Sequence, residues 1–471
     1  MIDMTRGGIP RLILVFTIPM FIGSVFQQLY NVVDRMIVGK FIGDAALAAV
    51  GASFSVIFLL VALAMGATMG VSVLVSQYYG AKNYKKVKLC IETAYIFMIV
   101  ISLVLTAAGL LCNGWILRLL DTPLEILPDA ELYLNTLFAG MLLFFGYNLI
   151  SAILRGLGDS NTPLYLLIFS TLVNITLDLF FVLVLHWGVF GAALATIISQ
   201  GVSFLGGMLY LQRINPLFRV NYFKLRFDKD IFVKSMQIGL PSGVQQMLVA
   251  AGMMVLHKLV NGFGTNAVAA FTAAGSIDAF AMMPAMNLSM AMSTFVGQNI
   301  GAGRHARVQG AVKAGLLMAA AIAVLVSLVV VIFSGPLVGL FATDPAVLAV
   351  GRDYLRIVGC FYLPFMLMFV YTGVLRGAGD TFVPTLLTVF SLWLVRVPVA
   401  SVLSGWIGIN GIWWAMPVSW TLGLTLSALY FYSGNWKRKI LVNRRSRRSI
   451  EAEEIIGELE VLELEKKEVR L

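Results

Sequence analysis

Long apolar runs separated by short polar loops recur along almost the whole chain, as in residues 96–111, 164–185 and 314–333. An apolar run of about 20 residues is long enough to cross the hydrocarbon core of a bilayer as an α-helix. The pattern therefore predicts about twelve membrane-spanning helices. They cover residues 10–35, 45–78, 88–113, 130–155, 162–185 and 189–212 in the first half, and residues 232–260, 267–299, 308–333, 348–376, 383–405 and 410–432 in the second. The first run lacks a small-residue cleavage site, so we interpret it as a retained helix and not as a signal peptide.

An internal repeat organises these helices. The decamer LRGLGDSNTP, which begins at Leu154, returns as LRGAGDTFVP at Leu375, and the same offset along the chain places Gln77 on Gln298. We therefore predict two homologous halves, related by this repeat offset. Six helices per half is an even number, so both halves enter the membrane from the same side as parallel repeats. The predicted fold is an all-α membrane protein with two six-helix lobes: an N-lobe (residues 1–212), a cytoplasmic linker (213–231), a C-lobe (232–433) and a charged cytoplasmic tail (434–471).

The repeated decamer predicts a tight hinge between two helices. Gly156 or Gly158 can end one helix in a left-handed cap, and Pro163 suits the first turn of the next. The letters GLGD also fit the GxGD pattern of intramembrane aspartyl proteases. That is a remote alternative, because Asp159 lies at a basic membrane edge and its twin, Asp380, has no reason to be catalytic as well. The chain contains no HExxH, GxSxG or P-loop motif, so we predict that it is neither an enzyme nor an ATP-driven pump.

Composition and charge agree with a membrane protein. Of the residues, 59% are hydrophobic and 12% are charged, against roughly 45 to 50% and about 25% in soluble domains. The formal net charge is +10, but Lys and Arg concentrate in short loops and one tail, so we exclude a nucleic-acid partner. The three cysteines show no CxxC spacing, which argues against redox chemistry and metal ligation.

The distribution of basic residues over the loops predicts the orientation. Basic residues follow the second and eighth predicted helices and fill the connection between the halves, whereas the loop after the third helix carries several carboxylates. Because basic loops remain on the cytoplasmic side, both termini are predicted to lie inside. In the tail, a basic run at residues 437–448 can sit on anionic headgroups, and the charged stretch at 451–471 is interpreted as a solvated helix.

Four polar side chains are predicted to meet at one depth of the first lobe. Asp34, Asp178 and Thr196 each lie roughly 10 Å below the outer surface, at about 1.5 Å per helical residue. Asn174 precedes Asp178 by four residues and shares its helix face. Neighbouring carboxylates can hold a proton and hard oxygen ligands can coordinate a monovalent cation, and the sequence does not separate these two roles. Structural hydrogen bonding is the alternative.

The repeat makes this cluster specific to the first lobe. Under the repeat offset, the four positions fall on Val255, Val395, Val399 and Pro417. A structural requirement of the fold would be kept in both halves, so we interpret the carboxylates as a coupling site.

Other polar residues also lie within the predicted spans. Gln27 and Tyr30 share the helix face of Asp34, where they can line a pathway or form interhelical hydrogen bonds. In the second half, Asp278 and Arg396 lie roughly 16 and 13 Å from the outer side and are expected to form a structural ion pair.

Several of these residues belong to motifs that resemble the multidrug and toxic compound extrusion (MATE) family, and especially its bacterial DinF-like branch. The motifs are NVVDRMIVG from Asn31, NITLD from Asn174, IDAFAMMPAMNLSMA from Ile277 and the two LRGxGD hinges. The resemblance covers about residues 10–432.

The resemblance implies two six-helix lobes in a V and alternating access. It implies export of mostly cationic, amphipathic compounds from the bacterial plasma (inner) membrane in exchange for inward Na⁺ or H⁺. The implied partners are small organic cations and the lipid bilayer, with no cofactor apart from the coupling ion, and we expect a monomer. By motif, the family's cation site falls on Asp34, Asn174, Asp178 and Thr196, its first-helix proline on Pro19, and its substrate contacts on Gln27, Tyr30 and Asn148.

The chain also departs from parts of the family. NorM-like members resemble it but carry carboxylates in the seventh and tenth helices, which this chain lacks in the span centres, and its long charged tail is unusual. The alternative function is flipping of lipid-linked oligosaccharide by the related two-lobed flippases. Those resemble fourteen-helix chains with several cavity arginines, whereas about twelve helices and one deep Arg are predicted here.

Overall fold

The computed structural model describes residues 2–214, 218–221 and 224–440, which form sixteen α-helices and no β-strand. The expected helix in the tail lies outside the described residues. The N-lobe contains α1 (Ile9–Ile37), α2 (Asp44–Gly80), α3 (Tyr84–Leu119), α4 (Leu127–Ala139), α5 (Met141–Gly156), α6 (Asn161–Leu179) and α7 (Gly188–Ile214). The C-lobe contains α8 (Lys229–Asn261), α9 (Thr265–Gly301), α10 (His305–Ile332), α11 (Ser334–Gly339), α12 (Pro345–Gly359), α13 (Tyr362–Ala378), α14 (Phe382–Val389), α15 (Val397–Ile407) and α16 (Asn410–Ser433).

Ten helical segments in the described part of the chain are long and apolar enough to cross a membrane, and the number rises to twelve if each of two bent pairs forms one span. The pairs are α4 with α5, bent by 54°, and α12 with α13, bent by 49°. They correspond to the fourth and tenth predicted helices, whose breaks the apolar pattern did not show. At the first break, a Cβ on Gly140 would lie 2.4 Å from the side chain of Ile197, so glycine lets this junction approach α7 closely. The chain is thus a multi-pass membrane protein.

The duplication is visible in the helices themselves. Helices α2 and α9 are both 37 residues long, and each follows a glycine with positive φ, Gly43 at 124° and Gly264 at 91°. The first residues of α2 and α9 are separated along the chain by the same number of residues as Leu154 and Leu375. The all-α fold with two homologous lobes is therefore confirmed.

The beginnings of α1 and α8 each pack with the other lobe. Ile13 and Phe16 of α1 lie in the hydrophobic core built mainly from α9, α10, α12, α13 and α16. Ile231 and Ile238 of α8 lie in the core built mainly from α2, α3 and α5. Packing therefore crosses the lobe boundaries that were predicted from chain position, because the apolar faces of these helix starts find their partners on the opposite repeat.

Glycines bring α2 and α8 together across the two lobes. A Cβ on Gly66 would lie 2.6 Å from the Cα of Gly243, and a Cβ on Gly70 would lie 2.0 Å from the backbone oxygen of Ser235. These contacts lie in the half of each helix nearest the hinges and basic loops, which we call the basic end. The lobes are thus closely packed towards the basic end.

Candidate functional site

The structure brings the four predicted N-lobe residues together. Asp34 comes from α1, Asn174 and Asp178 from successive turns of α6, and Thr196 from α7. Asn174 and Asp178 are completely buried. Asp178 forms a side-chain hydrogen bond with Asp34 across the two helices. The carboxyl groups, an amide and a hydroxyl therefore form one compact polar cluster inside an apolar lobe.

Asn174 is oriented by its neighbours. With its amide nitrogen facing Asp178, it donates to Asp178 Oδ2 at 2.9 Å, and its oxygen accepts from the backbone N–H of Thr196 at 3.2 Å. The Thr196 hydroxyl lies 3.2 Å from the Tyr30 hydroxyl and donates to the backbone oxygen of Ala192 at 3.1 Å. Hydrogen bonds thus connect α6 with α7 and α7 with α1.

The two carboxyl groups determine what the cluster can bind. Two carboxylates in hydrogen-bonding contact repel each other strongly when both are charged, so the pair requires a shared proton or a bound cation. Asp178 Oδ1 is buried and has no hydrogen-bond partner among the described protein groups. An unpartnered buried oxygen costs free energy unless a ligand completes it. The site therefore has both the charge and the open ligand position for a proton or a monovalent cation.

The predicted substrate-pathway residues lie in different settings. Tyr30 joins the cluster through the hydrogen bond between its hydroxyl and that of Thr196. An interhelical hydrogen bond was the predicted alternative to a role in the substrate pathway. Gln27 is half-buried, one turn earlier on α1. Asn148 is half-buried on α5, where its amide donates to the backbone oxygen of Phe144 at 2.9 Å in its own helix.

Helix α1 runs through Pro19 without interruption and ends in a π-helical turn at Val38–Ile42. Four residues after Pro19 the helix faces α6, where a Cβ on Gly23 would lie 3.6 Å from side chains of that helix. Ser24 accepts a hydrogen bond from Asn287 of α9 at 2.9 Å. Pro19 thus follows Ile13 and Phe16, which lie in the C-lobe core, and precedes Asp34 of the cluster. Contact with the C-lobe continues past the proline as far as Ser24.

The predicted ion pair between Asp278 and Arg396 is wrong. Asp278 accepts hydrogen bonds from the hydroxyls of Tyr354, at 2.5 Å, and Tyr362. Arg396 donates instead to Ser419 Oγ at 2.8 Å, and its guanidinium lies over the ring of Trp420. Similar depth in the membrane does not place two side chains on facing helix surfaces, and tyrosine hydroxyls satisfy the carboxyl group.

The two tyrosines were not predicted from the sequence. Tyr354 and Tyr362 are fully or almost fully buried, and a buried phenol requires a hydrogen-bond partner. Under the repeat offset, Tyr354 also aligns with Tyr133, a buried tyrosine of α4 in the N-lobe. This repeated tyrosine was a signal that a polar group lies nearby in both lobes.

Comparisons with known proteins point to one family. The MatE family model matches residues 19–180 and again residues 241–402. The probable multidrug resistance protein YpnP of Bacillus subtilis (strain 168) is 31% identical over 438 residues, covering 92% of this chain and 97% of its own length. YoeA of the same organism, also named a probable multidrug resistance protein, is 33% identical over 444 residues, covering 92% and 96%.

A solved structure described as the outward-facing conformation of a multidrug resistance MATE family transporter has a similar fold. It superposes with a TM-score of 0.86 at 24% identity, covering 92% of this chain and 98% of that one. With both halves matched by the family model and two relatives above 30% identity, the chain belongs to the MatE family of transporters, which are not enzymes.

Proposed function

We propose that this protein is an antiporter that exports amphipathic, mostly cationic organic compounds by alternating access, driven by Na⁺ or H⁺. The observation that carries the proposal is the hydrogen-bonded pair of Asp34 and Asp178, in which Asp178 is completely buried and its Oδ1 is open to a ligand. The names of the Bacillus subtilis relatives support the export of drugs.

The coupling follows from competition for this carboxyl pair. A proton or Na⁺ at the pair neutralises the charge that would otherwise attract an organic cation into the N-lobe. Each ligand then shifts the conformational equilibrium only as far as its affinity differs between the two states. Helix α1 can transmit the change, because it carries Asp34 at one end and packs in the C-lobe core at the other.

The proposed orientation places the basic end in the cytoplasm. Lys82, Lys85 and Arg304 lie there, and short basic loops are retained inside. Both termini then face the cytoplasm of a bacterial cell. The lobes are closely packed at that end, which supports an arrangement whose access is from the outside.

The test is transport by purified protein in liposomes, with Na⁺ and H⁺ gradients imposed separately and a fluorescent organic cation as substrate. Export that follows one gradient in the wild type and is lost in Asp178→Asn supports the proposal. Glu125→Gln is the matched control, since Glu125 is an exposed carboxylate in a loop. Substrate movement that ignores both gradients in the wild type would refute coupled antiport. Scrambling of a lipid-linked oligosaccharide under those conditions would favour the flippase alternative.

A further inference from the structure

Two repeat-related glutamines connect the lobes at the basic end. Gln77 of α2 donates through Nε2 to the backbone oxygen of Gly377 at 2.9 Å, and Gln298 of α9 donates to the backbone oxygen of Gly156 at 3.2 Å. Each donor lies in one lobe and its acceptor in the hinge motif of the other. We call these two hydrogen bonds the glutamine clasp.

The acceptor oxygens are carbonyls that helix geometry leaves unpaired. The last carbonyls of an α-helix have no intrahelical donor. In both hinges, the two carbonyls before the glycine accept hydrogen bonds from the backbone of the hinge itself; they belong to Leu154 and Arg155 in the N-lobe and to Leu375 and Arg376 in the C-lobe. The glycine oxygen that follows is satisfied by the glutamine of the opposite lobe. The repeated LRGxGD motif therefore presents a helix-end acceptor to the other half of the molecule.

The clasp is buried in very close packing. Gln77 and Gln298 have no exposed surface. A Cβ on Gly80 would lie 2.0 Å from the backbone oxygen of Gln298, and a Cβ on Gly301 would lie 1.9 Å from that of Gln77. Only glycine permits this approach of α2 to α9, so the clasp can exist only while the lobes are closed at this end.

The N-terminal strap, residues 2–7, completes one half of the clasp. The backbone N–H of Met4 donates to Gln298 Oε1 at 3.0 Å, and that of Ile2 donates to the oxygen of Gly158 at 2.8 Å. Arg307 holds the strap by donating to the oxygen of Met4 at 3.2 Å. In the other half, Gln77 Oε1 has no hydrogen-bond partner among the described groups. The two halves are thus unequal, with Gln298 held on both sides of its amide.

We infer that the glutamine clasp is the lock that keeps the basic end closed, and that the strap makes its Gln298 half the stronger one. When the lobes separate at this end, water replaces the protein partners of both amides and both glycine carbonyls. Removing a clasp donor therefore shifts the population towards a state open at the basic end. The inference rests on the proposed alternating access, because it assumes that the opposite end closes when the basic end opens. It does not depend on which ion drives transport.

Methionine tests the clasp, because it matches glutamine in length and lacks the donor. Gln77→Met and Gln298→Met are compared with Gln309→Met, an exposed glutamine near the same end. The three cysteines, Cys90, Cys112 and Cys360, are first replaced by alanine. Ser76→Cys then reports the basic end, because Ser76 is fully buried against Gly297 of the other lobe.

A second reporter separates opening from unfolding. Ser276→Cys lies on the face of α9 that carries Asn287, about three turns towards the opposite end. Each clasp variant is expected to raise the thiol-labelling rate at position 76 by about fivefold to tenfold. This is the change in the open population expected from the loss of one net hydrogen bond. The rate at position 276 should fall, and Gln298→Met should have the larger effect.

Two results would overturn the inference. One is unchanged labelling at position 76 in both clasp variants. The other is faster labelling at both reporter positions, which would mean that the glutamines only stabilise the fold. Neither result bears on the proposed function, because the ion dependence of the unmodified transporter is measured separately in liposomes.

Discussion

Replacing Asp178 by asparagine tests the coupling site most directly. The substitution keeps the shape of the side chain and removes one of two carboxyl groups in hydrogen-bonding contact. It also replaces an acceptor that has no described partner, Asp178 Oδ1, so the free energy of unfolding should change little. Hydrogen bonds to a charged group contribute about 1.5 to 3 kcal/mol. Loss of such a ligand should weaken binding of the coupling ion by roughly 10- to 100-fold.

Ion binding can be measured apart from transport. A ligand that binds the folded protein at 100 times its Kd stabilises it by about 2.7 kcal/mol, which appears as a rise in Tm. We expect the coupling ion to raise the Tm of the wild type and of Glu125→Gln. At the same ion concentration, a site weakened roughly 10- to 100-fold keeps only about 0.4 to 1.4 kcal/mol of this stabilisation, so the Tm of Asp178→Asn should rise much less. In liposomes, gradient-driven export should be lost in Asp178→Asn at equal protein incorporation.

A second carboxyl variant sharpens this test. Asp34→Asn should behave like Asp178→Asn, and the double variant should be little worse than either, because groups that act as one site are not additive. Wild-type export with unchanged ion dependence in both single variants would refute the reasoning. A large fall in folded protein would instead indicate a structural role for the pair.

Three further outcomes are expected. Pro19→Ala should fold and reach the membrane yet export poorly, because the proline weakens α1 where it passes between the lobes; equal export at equal expression would show that the proline is merely tolerated. Ser433→Cys should resist an impermeant thiol reagent in intact cells and react after lysis, and labelling of intact cells would reverse the proposed orientation. Tyr362→Phe should lower stability by about 1 to 3 kcal/mol because a buried carboxyl oxygen loses its donor; Tyr165→Phe, at an exposed tyrosine, is the control for the Tm measurement.

The N-lobe cluster could be predicted from the sequence but the partners of the C-lobe residues could not, and the difference has a physical cause. Asn174 and Asp178 share a helix face because four residues make about one turn. For residues on different helices, depth can be counted from the sequence, but the rotation of each helix about its axis cannot. Asp278 therefore faces two tyrosines, although Arg396 lies at a similar depth.

The sequence by itself determined the membrane spans and the duplication. Transfer of an apolar helix into hydrocarbon depends on that segment alone, and each helix satisfies its own backbone hydrogen bonds there. Tertiary structure alone decided which surfaces meet. The starts of α1 and α8 each pack in the core of the other lobe, and Gln77 donates to the backbone oxygen of Gly377, 300 residues away. Such partners depend on the packing of all the helices at once, because a helix end offers an open carbonyl to any donor and only the assembled lobes determine which donor reaches it.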